Sequence, residues 1–211
     1  MTDPPVVHLV DDDESCLRST ARMLAAEGFC AAAHTSGASL LLSVSSATRG
    51  CIVADLNMPG MDGLELQAAL SRRGVLMPLL FLSGQGDIPR TVRAMQGGAV
   101  DFIEKLAPRE QLFAAIRRAL ELDAAEHGRR ARALELRRRF DGLSRREQEV
   151  LREVLRGQMN KQIAATLGIS ERTVKLHRTS IKSKLGVHSP ARIAALARDA
   201  GWTDQTMDAV G

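Results

Sequence analysis

Short apolar runs and longer helical periodicities alternate along the first 120 residues. Runs rich in valine, isoleucine or leucine lie at 6–10, 51–54, 79–82 and 100–103, with a weaker one at 29–33. Between them Leu17, Ala21, Leu24 and Ala25 repeat on one helical face. Leu64, Leu66, Ala69 and Leu70 do the same, then Val92, Ala94 and Met95. Continuous apolar runs, rather than alternating ones, are what strands buried on both faces require. Five strand-then-helix units therefore predict an α/β doubly wound, five-stranded parallel sheet with helices on both sides.

Pro108 suits the first turn of a last helix, with an apolar stripe of Leu112, Ala115, Ile116, Ala119, Leu120 and Leu122. From 123 to 139 the sequence "DAAEHGRRARALELRRR" keeps helix propensity without a clear apolar face. It reads as a solvated helical linker with a weak spot at Gly128. Beyond Phe140 the pattern changes. Ser144 and Glu147 form a capping-box pair ahead of Val150, Leu151, Val154 and Leu155. Gly157 ends that helix, and Asn160 is placed to cap a second carrying Ile163, Ala164 and Leu167. A turn at 168–170 leads to a third helix capped by Ser170 and reaching Leu185. Ser189 and Pro190 open a fourth, with Ile193, Leu196 and Ala197 inward. Four short helices make a small all-α domain whose middle pair has helix-turn-helix proportions. The predicted organisation is 1–121, a linker at 122–140, the helical domain at 141–204 and a tail at 205–211.

The net charge of +4 conceals an asymmetry. Residues 1–120 carry 11 Lys and Arg against 13 Asp and Glu, whereas 121–211 carry 18 against 12. The basic half is the candidate for nucleic acid, although charge alone fits a solvated basic surface equally well. Acidic residues near the start exclude a signal peptide, and Pro78 interrupts the longest apolar stretch. No membrane span is expected, and the chain reads as cytoplasmic. Cys16, Cys30 and Cys51 lack metal-ligand spacing and are expected as small core residues.

In a doubly wound sheet, ligands bind beyond the carboxyl ends of the strands. Asp11, Asp12 and Asp13 follow the first run, Asp55 ends the third, Ser83 the fourth, and Lys105 follows the fifth. Carboxylates gathered at one edge suit a hard cation such as magnesium, and one of them can act as a nucleophile toward phosphorus. The motifs "VDDDES", "ADLNMPGMDG", "LSGQGD", "GAVDF" and "EK", in that order, resemble the receiver domain of bacterial response regulators. The resemblance implies a flavodoxin-like receiver in which Asp55 accepts a phosphoryl group from a sensor histidine kinase. It implies that Asp11, Asp12, Asp55 and the backbone carbonyl of Asn57 hold Mg2+. Lys105 and Ser83 would contact the phosphate, and Phe102 would be the switch aromatic. Asp13 then falls at the start of the first helix. Such a chain is no enzyme beyond its own phosphorylation and dephosphorylation. A phosphatase of the aspartyl-phosphate class would need a carboxylate where Asn57 stands.

The family usually has proline after this lysine, joined by a cis bond; here the residue is Leu106. A cis bond before a non-proline residue costs about 2.5–4 kcal/mol, so a trans Lys105–Leu106 bond is predicted. It would slow phosphorylation or weaken its coupling to output. It also keeps open the alternative of a phosphorylation-independent DNA-binding regulator whose degenerate receiver serves dimerisation.

In the third helix of the basic domain, Val174, Ile181 and Leu185 share one face. Lys175, Thr179, Lys182 and Ser183 lie opposite, near Arg172, and Leu176 projects with them. An amphipathic surface helix with one stray leucine fits this pattern; so does a base-reading helix. "NKQIA", "LGIS" and "RTVKLHR" resemble the LuxR-family DNA-binding domain, which implies the latter. Lys175, Leu176 and Thr179 would face the major groove, and Lys161, Arg172, Thr173, Arg178 and Lys182 would lie near phosphates. His177 would position the helix, and the fourth helix would supply a dimer contact. Both halves together resemble FixJ-type response regulators. The resemblance implies an activator of transcription that binds double-stranded promoter DNA, forms a homodimer when phosphorylated or DNA-bound, and engages RNA polymerase.

Overall fold

A computed structural model describes residues 4–84, 88–187 and 189–202. The 205–211 tail and the end of the "LSGQGD" motif lie outside the described residues. The chain divides into two units, 1–126 and 127–211.

In the first unit, β1 (Val6–Val10), β2 (Cys30–His34), β3 (Gly50–Asp55), β4 (Leu79–Ser83) and β5 (Asp101–Glu104) pair in parallel in the order β2-β1-β3-β4-β5. Central β3 is buried at every position, which its apolar run at 51–54 allows, and the strand ends on the buried carboxylate of Asp55. Because strand side chains alternate, β1, β3, β4 and β5 each feed two cores. Val7, Leu9, Cys51, Val53, Leu80 and Ile103 pack with α1 (Glu14–Ala26) and the first turns of α5 (Arg109–Asp141). Val10, Ile52, Ala54 and Phe81 pack with α2 (Gly37–Ser43), α3 (Gly63–Arg72) and α4 (Ile88–Gln96).

Several sequence expectations need correction. Cys51 is buried, but Cys16 is half-buried and Cys30 exposed, since β2 is an edge strand. Only Ala94 of α4 is buried; Val92 and Met95 face outward with Ile88. The last helix begins at Arg109, one residue after Pro108, and Leu122 is exposed. Gly128 does not interrupt that helix. Its middle is not wholly solvated either. Asp123 is buried and accepts from Arg49 Nε at 2.7 Å, fixing this turn to the start of β3. The Lys105–Leu106 bond is trans, as is every described peptide bond, and Leu106 is exposed.

A buried pair of histidines, His8 and His34, leaves no signal in the apolar pattern. His8 Nδ1 lies 3.1 Å from His34 Nε2, the rings stacked between β1 and β2. Burial, then the neighbouring His34, lowers the His8 pKa from 6.5 to about 4, and burial lowers that of His34. Above pH 6.5 His8 is neutral folded or unfolded. Between 6.5 and 4 only the unfolded chain takes up the proton, so stability falls as pH falls. Wild type should lose about 2 kcal/mol more than His8→Val between pH 7 and 5, a difference that urea titrations would measure.

The second unit carries α6 (Arg145–Leu155), α7 (Asn160–Leu167), α8 (Glu171–Leu185) and α9 (Pro190–Asp199). Their core contains Val150, Leu151, Ile163, Val174, Ile181, Leu185 and Ile193, and also Leu136 and Phe140 from the end of α5. The supposed linker thus contributes two core residues. Ser144 and Glu147 cap α6 reciprocally. Asn160 does not cap α7. Met159 holds that position without a side-chain bond, its N–H donating to Gln162 Oε1 at 2.8 Å. Among the described residues no helix is long and apolar enough to cross a membrane.

Candidate functional site

Parallel pairing of β1, β3, β4 and β5 aligns their carboxyl ends, so residues far apart in sequence meet there. Asp11 directly follows β1, Asp55 and Ser83 end β3 and β4, and Lys105 follows β5. Lys105 Nζ lies 2.6 Å from Asp11 Oδ2 and 3.0 Å from Asp55 Oδ2. The Lys105 N–H donates to the Ser83 carbonyl at 2.7 Å, fixing where that side chain starts. Despite the trans bond beyond it, the ammonium sits between both carboxylates. Burial alone would lower the Lys105 pKa; the hydrogen bonds and charges of Asp11 and Asp55 outweigh it and raise the pKa above the ordinary lysine value.

Asp11 and Asp55 are buried while Asp12 is exposed, and the three offer oxygens within 4.8 Å of one another. Hard oxygen donors converging at the ends of two neighbouring strands, one of them open to water, fit a magnesium ion. Asp13 instead caps α1, accepting from Ser15 N at 2.7 Å and Cys16 N at 3.3 Å, and these bonds hold its carboxyl below the usual range. Ser83 is fully buried, and Phe102 is half-buried against the core beneath α4.

Around the loop after Asp55, the roles of Gly63, of the Asn57 side chain and of Arg90 in α4 carry no signal in the local sequence. A Cβ at Gly63 would lie 2.8 Å from the Asp55 carbonyl oxygen and 2.7 Å from the Phe81 ring, so only glycine lets α3 start this close to β3. The Asn57 N–H donates to Asp55 Oδ1 at 3.3 Å. The Asn57 side-chain oxygen accepts from Arg90 of α4, which also reaches Asp62 Oδ2 at 2.7 Å. A lone arginine 33 residues from its partner leaves no local sequence signal.

In the second unit, Gly168 (φ 63°) turns the chain between α7 and α8, and Ser170 caps α8. Lys161, Arg172, Lys175, Leu176, Thr179 and Ser183 are exposed; Leu176 is 64% exposed. Thr173, His177, Arg178 and Lys182 are half-buried. Arg178 donates to Asn160 Oδ1 at 3.0 Å, joining α8 to the first turn of α7. This explains why Asn160 is not a cap. Glu147, buried in α6, accepts from Ser180 Oγ at 2.6 Å and Lys184 Nζ at 2.7 Å. Burial would raise its pKa, but the bonds from Lys184, Ser180 and Ser144 prevail and bring it to about 2.

Residues 7–117 match the family "Response regulator receiver domain", and residues 141–197 match "Bacterial regulatory proteins, luxR family". The response regulator TodT of Pseudomonas putida is 41% identical over 87% of this chain and 81% of its own. The transcriptional regulatory protein FixJ of Azorhizobium caulinodans is 41% identical over 92% of both chains. A solved structure of the response regulator StyR superposes with a TM-score of 0.83 at 40% identity, covering 93% of this chain and 99% of its own. The chain therefore belongs to the FixJ-type two-component response regulators, in which a receiver domain is joined to a LuxR-family DNA-binding domain.

Proposed function

We propose that the chain accepts a phosphoryl group on Asp55 from a sensor histidine kinase and thereby activates transcription from a promoter it binds through α8. The observation that carries the reading is Lys105 held between Asp11 and Asp55. An Asp55 oxygen would form the O–P bond as the P–N bond of the kinase's phosphohistidine breaks, the imidazole nitrogen keeping the electron pair. Magnesium, held by Asp11, Asp12, Asp55 and the Asn57 carbonyl, would supply positive charge to the phosphoryl oxygens. Lys105 would pair with a phosphoryl oxygen, and Ser83 would donate its hydroxyl proton to another. Phe102 would then repack and alter the α4–β5 surface, where Ile88, Val92 and Met95 form an exposed apolar stripe suited to a second copy of the chain.

On DNA, Lys175, Leu176 and Thr179 would read base edges. Lys161, Arg172, Thr173, Arg178 and Lys182 would approach phosphates, with Arg178 also bracing α7 against α8. Dimers would span a two-part site, and contact with RNA polymerase would complete activation in the cytoplasm. The alternative, a receiver that never takes up phosphate, drew on Leu106. The position of Lys105 between the carboxylates with that bond trans argues against it.

Intact mass after incubation with magnesium and acetyl phosphate tests the proposal. One phosphoryl adduct is the expected result, and none, with retained DNA binding, would favour the alternative.

A further inference from the structure

We infer that Arg90 is a positioning residue that lengthens the life of the phosphoryl group on Asp55 by acting through Asn57. The inference rests on the phosphorylation reading above. Asn57 is joined to the phosphoacceptor at one end and to Arg90 at the other: its N–H donates to Asp55 Oδ1, and its side-chain oxygen accepts from the guanidinium. Arg90 also donates to Asp62 Oδ2 at 2.7 Å, while Asp62 Oδ1 caps α3 at Glu65 N, 2.8 Å away. The guanidinium therefore fastens the first turn of α4 to both ends of the 57–62 loop.

Arginine suits this task because its planar fork engages two acceptors in fixed directions, whereas an ammonium is a point charge. It also fixes the Asn57 amide. Arginine only donates, so the carboxamide oxygen must face it, and the NH2 end is turned away. Loss of the phosphoryl group proceeds by water attack on phosphorus. A new O–P bond forms, the Asp55 Oδ–P bond breaks, the carboxylate keeps the electron pair, and the water protons pass to the phosphate and solvent. A loop tied to Asp55 through the Asn57 N–H and held at its other end by Arg90 would limit the approach of that water, and an unfastened loop would admit it.

The full chain would be phosphorylated with acetyl phosphate and magnesium, freed of donor, and followed by intact mass. Arg90→Gln should shorten the half-life of the adduct about three- to tenfold, the range expected for loss of one charge-assisted contact. Arg90→Lys should recover part of it. Asn57→Ala should shorten it similarly, and Arg90→Gln added to Asn57→Ala should do little more. In metal-free protein, Arg90→Gln should speed amide exchange at 56–62 without moving the thermal midpoint. An unchanged or longer half-life, or full additivity with Asn57→Ala, would overturn the role of Arg90. Absence of any adduct on wild type would instead overturn the phosphorylation reading, leaving the exchange experiment to judge the fastening alone.

Discussion

Lys105→Ala is expected to slow phosphoryl uptake from acetyl phosphate about a hundredfold, the scale of removing one electrostatic donor from a reacting site. The substitution should also destabilise the first unit by about 2–3 kcal/mol in metal-free buffer, discounted from a fully buried pair because the lysine is 25% exposed. The cause is two buried carboxylates, Asp11 and Asp55, left without the ammonium between them. Magnesium would replace that missing charge, so it should raise the thermal midpoint of Lys105→Ala more than that of wild type. Asp55→Asn behaves oppositely. It removes the carboxylate proposed as the nucleophile and should abolish the adduct, yet it keeps the Lys105–Asp11 pair and relieves one like charge. Its metal-free midpoint should rise. Calorimetry with and without magnesium measures both shifts, and equal magnesium shifts in wild type and Lys105→Ala would show that the ammonium and the cation do not share these carboxylates.

The acidic pocket was readable from sequence because a parallel sheet concentrates chemistry at strand ends. Asp11, Asp55 and Ser83 each follow directly from an apolar run and Lys105 follows the fifth with one residue between, so local pattern plus topology brings them together. Contacts set by tertiary packing were not readable. Asn160 has the right residue type for a cap, but Arg178, 18 residues away, competes for its oxygen. In α4 the small Ala94 is the buried residue, so the larger Val92 and Met95 misled a reading based on apolar spacing. The α2 sequence GASLLLS is too short for periodicity, and its Leu42 points outward. Leu136 and Phe140 sit in a stretch dominated by arginine and glutamate, where two apolar residues do not stand out as a face. His8 and His34 are polar types that local pattern assigns to a surface, yet each is the partner that lets the other be buried.

Glu147→Ala should lower the stability of the second unit by about 3 kcal/mol and weaken DNA binding with it. Glu147 is 4% exposed, and its carboxylate accepts from three groups that tie the start of α6 to α8: the Ser144 N–H, Ser180 and Lys184. Lys184 also donates to the Gly142 carbonyl just beyond α5, so one side-chain cluster fixes where α8 sits. Removing the carboxylate takes from the Lys184 ammonium its charged partner and from the Ser144 N–H its acceptor. The pH dependence follows from the same contacts. With its pKa brought from 4.5 to about 2, Glu147 stabilises fully above pH 4.5, and its contribution is lost as pH falls toward 2. Trp202, the sole tryptophan in a chain without tyrosine, stacks on Phe140 in this unit's core with ring centroids 5.5 Å apart. Its fluorescence therefore reports unfolding of this unit alone. Urea titrations at pH 7 and pH 3 should show the wild-type advantage over Glu147→Ala shrinking at the lower pH. An advantage that persists undiminished at pH 3 would mean that packing of the side chain, rather than its charge, holds α8 in place.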